Sequence, residues 1–155
     1  MKILLTLAMA VFFSTAMPAQ SPAAAQVFSG KDVAAQLEAL SVAARASGSS
    51  GATLGDFSSH AIKLSVRTSS GGAEIHAHFD DIFIVTGGSA TLITGGRVLE
   101  PKTGADGETK GSGIEGGTRQ LLHEGDVVHI PAGTPHQLLI APGEIYRSIV
   151  VKVKE

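Results

Sequence analysis

The spacing of apolar positions along the chain falls into three regimes. From Ile3 to Met17 apolar residues are nearly continuous, and from Lys31 to Ala46 they recur every three to four residues. From His60 onward they come in short alternating or β-rich runs bounded by Gly, Ser and Pro. The second regime predicts an amphipathic helix with Val33, Leu37, Leu40 and Ala44 on one face, capped by Ser29, favoured by Asp32 in its first turn and stopped at Gly48–Gly51. The third predicts strands over Ala61–Thr68, Glu74–His78, Ile82–Thr86, Ala90–Thr94, Leu121–Leu122, Val127–Ile130, His136–Ile140 and Tyr146–Val153. Strands that follow one another without intervening helices suit an antiparallel sandwich or barrel. Between Gly95 and Gly117 the regularity is lost to Gly, Lys, Thr, Glu and Asp, so a long hydrophilic loop is expected there, as a lid, a partner-binding flap or a solvated insertion.

The first regime has the form of an export signal. Lys2 supplies the charge of the n-region, the run to Met17 is short for a membrane span, and Ala23-Ala24-Ala25 offers small residues before a cleavage expected ahead of Gln26. Ser14-Thr15-Ala16 is a second site for the cut, and an uncleaved anchor is the alternative, although no basic stop-transfer cluster follows. The expected layout is a signal peptide over residues 1–25, a helix and linker over 26–60 and one β domain over 61–155. The destination is periplasmic or secreted, without stable membrane association after cleavage. The chain has no cysteine, so neither a disulfide nor a lipoprotein anchor is available. Its 43% hydrophobic content is inflated by the leader, and a net charge of −2 with both signs scattered leaves no basic stripe for nucleic acid.

Candidate chemistry concentrates in two stretches. On a strand, His76 and His78 project from the same face and can hold one ion together. A carboxylate, Asp80 or Asp81, follows closely, and His136 sits downstream behind the tight bend of Pro131–Pro135. Imidazole and carboxylate are the donors of a mononuclear transition-metal site. His129 reads as a supporting or surface residue, His60 and His123 as surface residues, Glu74 as a solvated strand residue, and Phe83 and Val85 as barrel core.

Together the two stretches resemble the paired signature motifs of the cupin superfamily. Gly71, His76, His78 and Gly88 follow the order of the first motif, and Gly125, Pro131, Gly133 and His136 keep the spacing of the second. The resemblance spans Ala61 to Val153. It implies an all-β, antiparallel double-stranded β-helix of jelly-roll type, here with an N-terminal α-helix. It also implies a divalent transition metal, Fe, Mn or Zn, held by His76, His78, Asp81 and His136. Alignment on the downstream Ile-Phe-Ile-Val block favours Asp81 as the acid, whereas strand parity with the histidines favours Asp80. The sequence departs from the pattern in having Asp for Glu, one residue closer to His78, and Ile140 where the motif has Asn. The expected function is an exported metal-binding cupin, either an enzyme acting on a small oxygen-bearing substrate at a three-histidine, one-carboxylate site, or a non-catalytic module for a sugar or organic acid. A homodimer through the Lys31–Ala46 helix or the Tyr146–Val153 strand is expected as well.

Overall fold

The computed structural model describes residues 24–155, so the signal segment to Ala23 lies outside the described residues. One helix, α1 (Gly30–Ser47), precedes thirteen strands: β1 (Ser49–Asp56), β2 (His60–Arg67), β3 (Ala73–His76), β4 (Phe79–Gly87), β5 (Ser89–Thr94), β6 (Arg97–Leu99), β7 (Lys102–Thr103), β8 (Glu108–Gly111), β9 (Gly113–Glu115), β10 (Thr118–His123), β11 (Val127–Ile130), β12 (His136–Leu139) and β13 (Tyr146–Lys154). A five-stranded sheet in the order β1-β2-β13-β4-β11 faces a six-stranded sheet in the order β10-β5-β12-β3-β8-β7, and β6 pairs with β9 alongside. Every pairing is antiparallel. Among the described residues no helix is long and apolar enough to cross a membrane.

Helix α1 forms where the periodicity predicts it. The Ser29 side chain accepts the Asp32 backbone N–H at 3.1 Å, and Gly48, at φ 84°, donates its N–H to the Ala44 carbonyl at 2.7 Å. A positive φ favours glycine at that closing position. Leu37 and Ala44 are buried against Leu64 and Val66 of β2, with Val33, Leu40, Leu54 and Ile149 around them. The helix therefore covers the outer face of the five-stranded sheet at its β1–β2 end.

Side-chain alternation divides β2, β13 and β4 between two environments. Leu64, Val66 and Ile149 turn outward to the helix, while Lys63, Ser65 and Arg67 of β2, Ser148, Val150 and Lys152 of β13, and Asp81 and Phe83 of β4 line an interior cavity of about 580 Å³. The other part of the interior is closed by Phe83, Val85, Leu92, Leu122, Ile130, Leu138, Ile140 and Tyr146. The barrel thus has an apolar filled part and a polar hollow part, and Phe83 belongs to both.

Three expectations are corrected. Residues 49–56, expected as linker, form β1, which pairs along β2 from Ser49 opposite Arg67 to Asp56 opposite Ala61. Its sequence, SSGATLGD, carries little β propensity, and pairing with β2 overrides that. Gly51 lies so close that a Cβ there would sit 2.9 Å from the Leu64 carbonyl oxygen. The Gly95–Gly117 stretch is not a loop but holds β6, β7, β8 and β9, with β8 pairing β3 and extending the six-stranded sheet. Finally, the strand expected to run through His78 ends at His76, and Ala77-His78 is the turn by which the chain crosses between the sheets.

Candidate metal centre

Strand β3 carries Glu74 and His76 two residues apart, so both side chains point into the cavity. The chain then turns at Ala77-His78 and enters the opposite sheet as β4, which brings Asp81 inward and turns Asp80 outward. His136 opens β12, opposite Glu74 on one side and Thr94 on the other. The Pro131–Pro135 bend delivers it. Gly133, at φ 74°, donates its N–H to the His76 carbonyl at 2.8 Å, and Thr134 N donates to the Pro131 carbonyl at 3.1 Å. Asp80 steadies the same bend from outside, accepting the Ala132 N–H at 2.8 Å and a bond from His129 Nε2 at 2.7 Å.

The donor atoms converge. Asp81 Oδ2 stands 3.3 Å from His76 Nε2 and 3.8 Å from His136 Nε2, and Glu74 Oε2 lies 4.0 Å from His76 Nε2. One donor atom each from Glu74, His76 and His136 lies within 4.8 Å of the others. Donors about 2.1 Å from one ion stand roughly 3.0–4.2 Å from each other, from adjacent to opposite positions, a range that holds the separations of Asp81 from both histidines and of Glu74 from His76. Asp81 and His136 are 3% and 4% exposed, which shields such an ion from water on that side.

Both imidazoles are oriented by their second nitrogen. His76 Nδ1 hydrogen-bonds Glu108 of β8, and His136 Nδ1 donates to the Thr134 carbonyl at 3.0 Å. A histidine whose Nδ1–H is held in this way presents the lone pair of Nε2, as metal-ligating histidines do. The Asp81 carboxylate is oriented too: Lys152, its partner across β13, donates to Oδ1 at 2.7 Å and leaves Oδ2 toward the histidines.

The electrostatics follow from burial and neighbours. Burial by itself lowers the His76 pKa, but the hydrogen bond and charge of Asp81, with help from Glu108, outweigh it and hold the group above the usual histidine value. His136, more deeply buried, is pushed below that value by desolvation. Burial would raise Asp81, yet its bonds to His76 and Lys152 keep the carboxylate below its usual range.

Of the four residues expected to act together, the structure gathers His76, Asp81 and His136 and leaves His78 out. His78 is exposed in the crossing turn, beside Gly107, where strand alternation no longer applies. The parity argument for Asp80 fails for the same reason, because the turn resets the face between His76 and β4. Glu74 takes the inward place two residues from His76 that His78 was expected to take. Parity on the N-terminal side of His76 was the signal for it. Glu108 was hidden in the stretch read as a loop, and Lys152 is legible only through its register with Asp81.

No family model matches the sequence, and no curated protein matches it. Solved structures do match. The cupin domain of Schizosaccharomyces pombe Cnp3 is similar at a TM-score of 0.52 and 12% identity, covering 69% of this chain and 65% of that one. The DMSP lyase DddQ from Ruegeria pomeroyi DSS-3 is similar at 0.51 and 16% identity, covering 69% of this chain and 47% of that one. The polyketide cyclase RemF from Streptomyces resistomycificus is similar at 0.51 and 18% identity, over 70% of this chain and 66% of that one. The chain thus spans from about half to just under two thirds of these structures. At such identities the likeness is one of fold. The chain has the cupin fold, a double-stranded β-helix with an N-terminal helix, and within it a group of His and Glu side chains able to hold a metal ion.

Proposed function

We propose that the protein is a metal-dependent cupin enzyme that binds one divalent transition metal, Fe, Mn or Zn, through His76, His136, Asp81 and Glu74, and acts on a small oxygen-bearing substrate. The observation that carries this reading is the pair of imidazoles, His136 buried and His76 half-buried, whose Nδ1 atoms are engaged by the Thr134 carbonyl and Glu108 while their Nε2 atoms converge with two carboxylates. When bound, such an ion supplies Lewis-acid polarisation of a coordinated oxygen. The chain's own groups then have separable tasks. Glu108 and Thr134 fix the imidazole orientations, Lys152 holds Asp81, and the apolar cluster around Phe83 and Leu138 closes off one side of the cavity. That two of the similar structures are described as a lyase and a cyclase supports an enzymatic use of this fold.

A second reading, a non-catalytic module for a sugar or organic acid, is favoured by one observation. The candidate general bases beside the site, Glu108 and Asp81, are both already engaged, by His76 and Lys152. Chelated protein reconstituted with each metal in turn and assayed over small oxygenated substrates separates the two. Turnover restored by one metal is expected, and full metal retention without turnover would establish the module instead.

We infer export to the periplasm or medium from the leader-like residues 1–25 alone. A homodimer is also part of the proposal. Its seat is the outer face of the five-stranded sheet, where Ile84 and Val127 are 37% and 68% exposed beyond the reach of α1. Edge pairing through Tyr146–Val153 is excluded, because β13 is hydrogen-bonded to β2 and β4 on its two sides.

A further inference from the structure

The cavity holds a second set of groups that the metal site does not use. Alternation along β2 puts Lys63 and Arg67 on the cavity face, and Lys110 of β8, the cross-strand partner of Glu74, lines the same space; Arg67 is half-buried and both lysines are exposed. Four carboxylates share the cavity: Glu108 is engaged by His76, Asp81 by Lys152 and the histidines, Glu74 lies at the metal donors, and Asp56 lines the wall as well. Among the described residues none of Lys63, Arg67 and Lys110 forms an ion pair. Arg67 stands out because its Nε is buried without a hydrogen-bond partner. A buried guanidinium N–H left unpaired is costly, and a buried water or a bound ligand is what offsets such a cost in native folds.

The surroundings of Arg67 are shaped for its head group. A Cβ at Gly71 would lie 2.7 Å from Arg67 Nη1, so the guanidinium rests against the bare backbone of Gly71. Gln137 donates to the Gly71 carbonyl at 2.8 Å and fixes that backbone. Gly71 is three residues from Glu74, about 10 Å along an extended chain, which is the scale on which one elongated small molecule spans the arginine and the metal donors. A cavity of about 580 Å³ accommodates a ligand of that size.

We propose that the cavity contains an anion subsite in which Arg67, assisted by Lys63 and Lys110, receives the carboxylate or phosphate of a small organic anion. The planar fork of Arg67 suits either group, and the two lysines add charge at the approach. The substrate class of the proposed enzyme is thereby an elongated organic anion, with the ionic group on Arg67 and an uncharged oxygen toward His76 and His136. This assignment of substrate rests on the metal reading. The anion subsite itself does not.

Titration calorimetry on the full mature protein tests it with two matched pairs of probes, adipate against adipamide and glucose 6-phosphate against glucose. At least one anion is expected to bind, with its neutral counterpart about tenfold weaker or worse, and the pair that shows this tells carboxylate from phosphate. Arg67→Gln is expected to lose about tenfold or more in anion affinity with metal content intact, and Arg67→Lys to recover part of it, which separates lost recognition from lost folding. Binding unchanged in Arg67→Gln, equal binding of neutral and charged probes, or no anion bound at about 10 mM would each overturn the subsite. Anion binding that depends on Arg67 in a protein without metal would leave the subsite standing and remove the metal reading. Stoichiometric metal with no anion binding would do the reverse.

Discussion

Glu108 and Lys152 touch the donors rather than the place an ion would occupy, and they show how much of the site is made by support. Glu108→Gln keeps the shape but weakens the acceptor that fixes His76, so metal affinity is expected to fall about 10- to 100-fold, read by competition with a chromophoric chelator. Unchanged affinity would remove Glu108 from the support. The pKa directions give a pH dependence with a definite sign. His76 is held above its ordinary value, so its proton stabilises the metal-free fold below about pH 6.5, and that contribution is lost as pH rises through the raised value. A metal must displace the same proton, so its affinity is expected to rise as pH rises through the raised His76 value, measured as a dissociation constant at each pH. A flat profile would contradict protonation of His76 between Asp81 and Glu108. Asp81 contributes in the opposite sense: held low, it stabilises the fold above its unfolded range, and that contribution is lost only in acid.

At the scale of elements, α1 and the central strands were legible because their apolar spacing matches the period of the structure they form. Leu37 and Ala44 are buried as the helical face requires, and the inward and outward residues of β2, β4 and β13 alternate as strands do. What the sequence concealed were elements held by pairing rather than by burial. Strand β1 is Ser- and Gly-rich and stands on a sheet edge, and β8 sits among charged residues yet brings Glu108 to His76. Period-two reasoning failed at one place, Ala77-His78, where a two-residue turn separates strands belonging to different sheets, and that single break accounts for both the misplaced His78 and the ambiguity over Asp80. The apolar part of the barrel supplies the rigidity that this arrangement needs. Leu92 is fully buried in it, and Leu92→Ala is expected to cost about 2–5 kcal/mol in chemical denaturation. A loss below about 1 kcal/mol would mean that the closed part of the barrel is not a packed core.

Over the whole molecule, two sheets meet around an interior that is filled with apolar side chains in one part and lined with ionisable ones in the other. The crossing turn from β3 to β4 is what lets one sheet supply Glu74, His76 and His136 while the other supplies Asp81 and Lys152. The apolar outer face of the five-stranded sheet stands apart from that site, and light scattering during size exclusion is expected to give twice the chain mass, with a monomer mass rejecting the dimer. Everything proposed about chemistry returns to whether an ion is held between the sheets. Elemental analysis of the purified protein and three variants tests this most directly. About one transition metal per chain is expected in the wild type and in His78→Ala, and a loss of most of it in His76→Ala and His136→Ala. Substoichiometric metal that is the same in all four proteins, or a loss confined to His78→Ala, would contradict it.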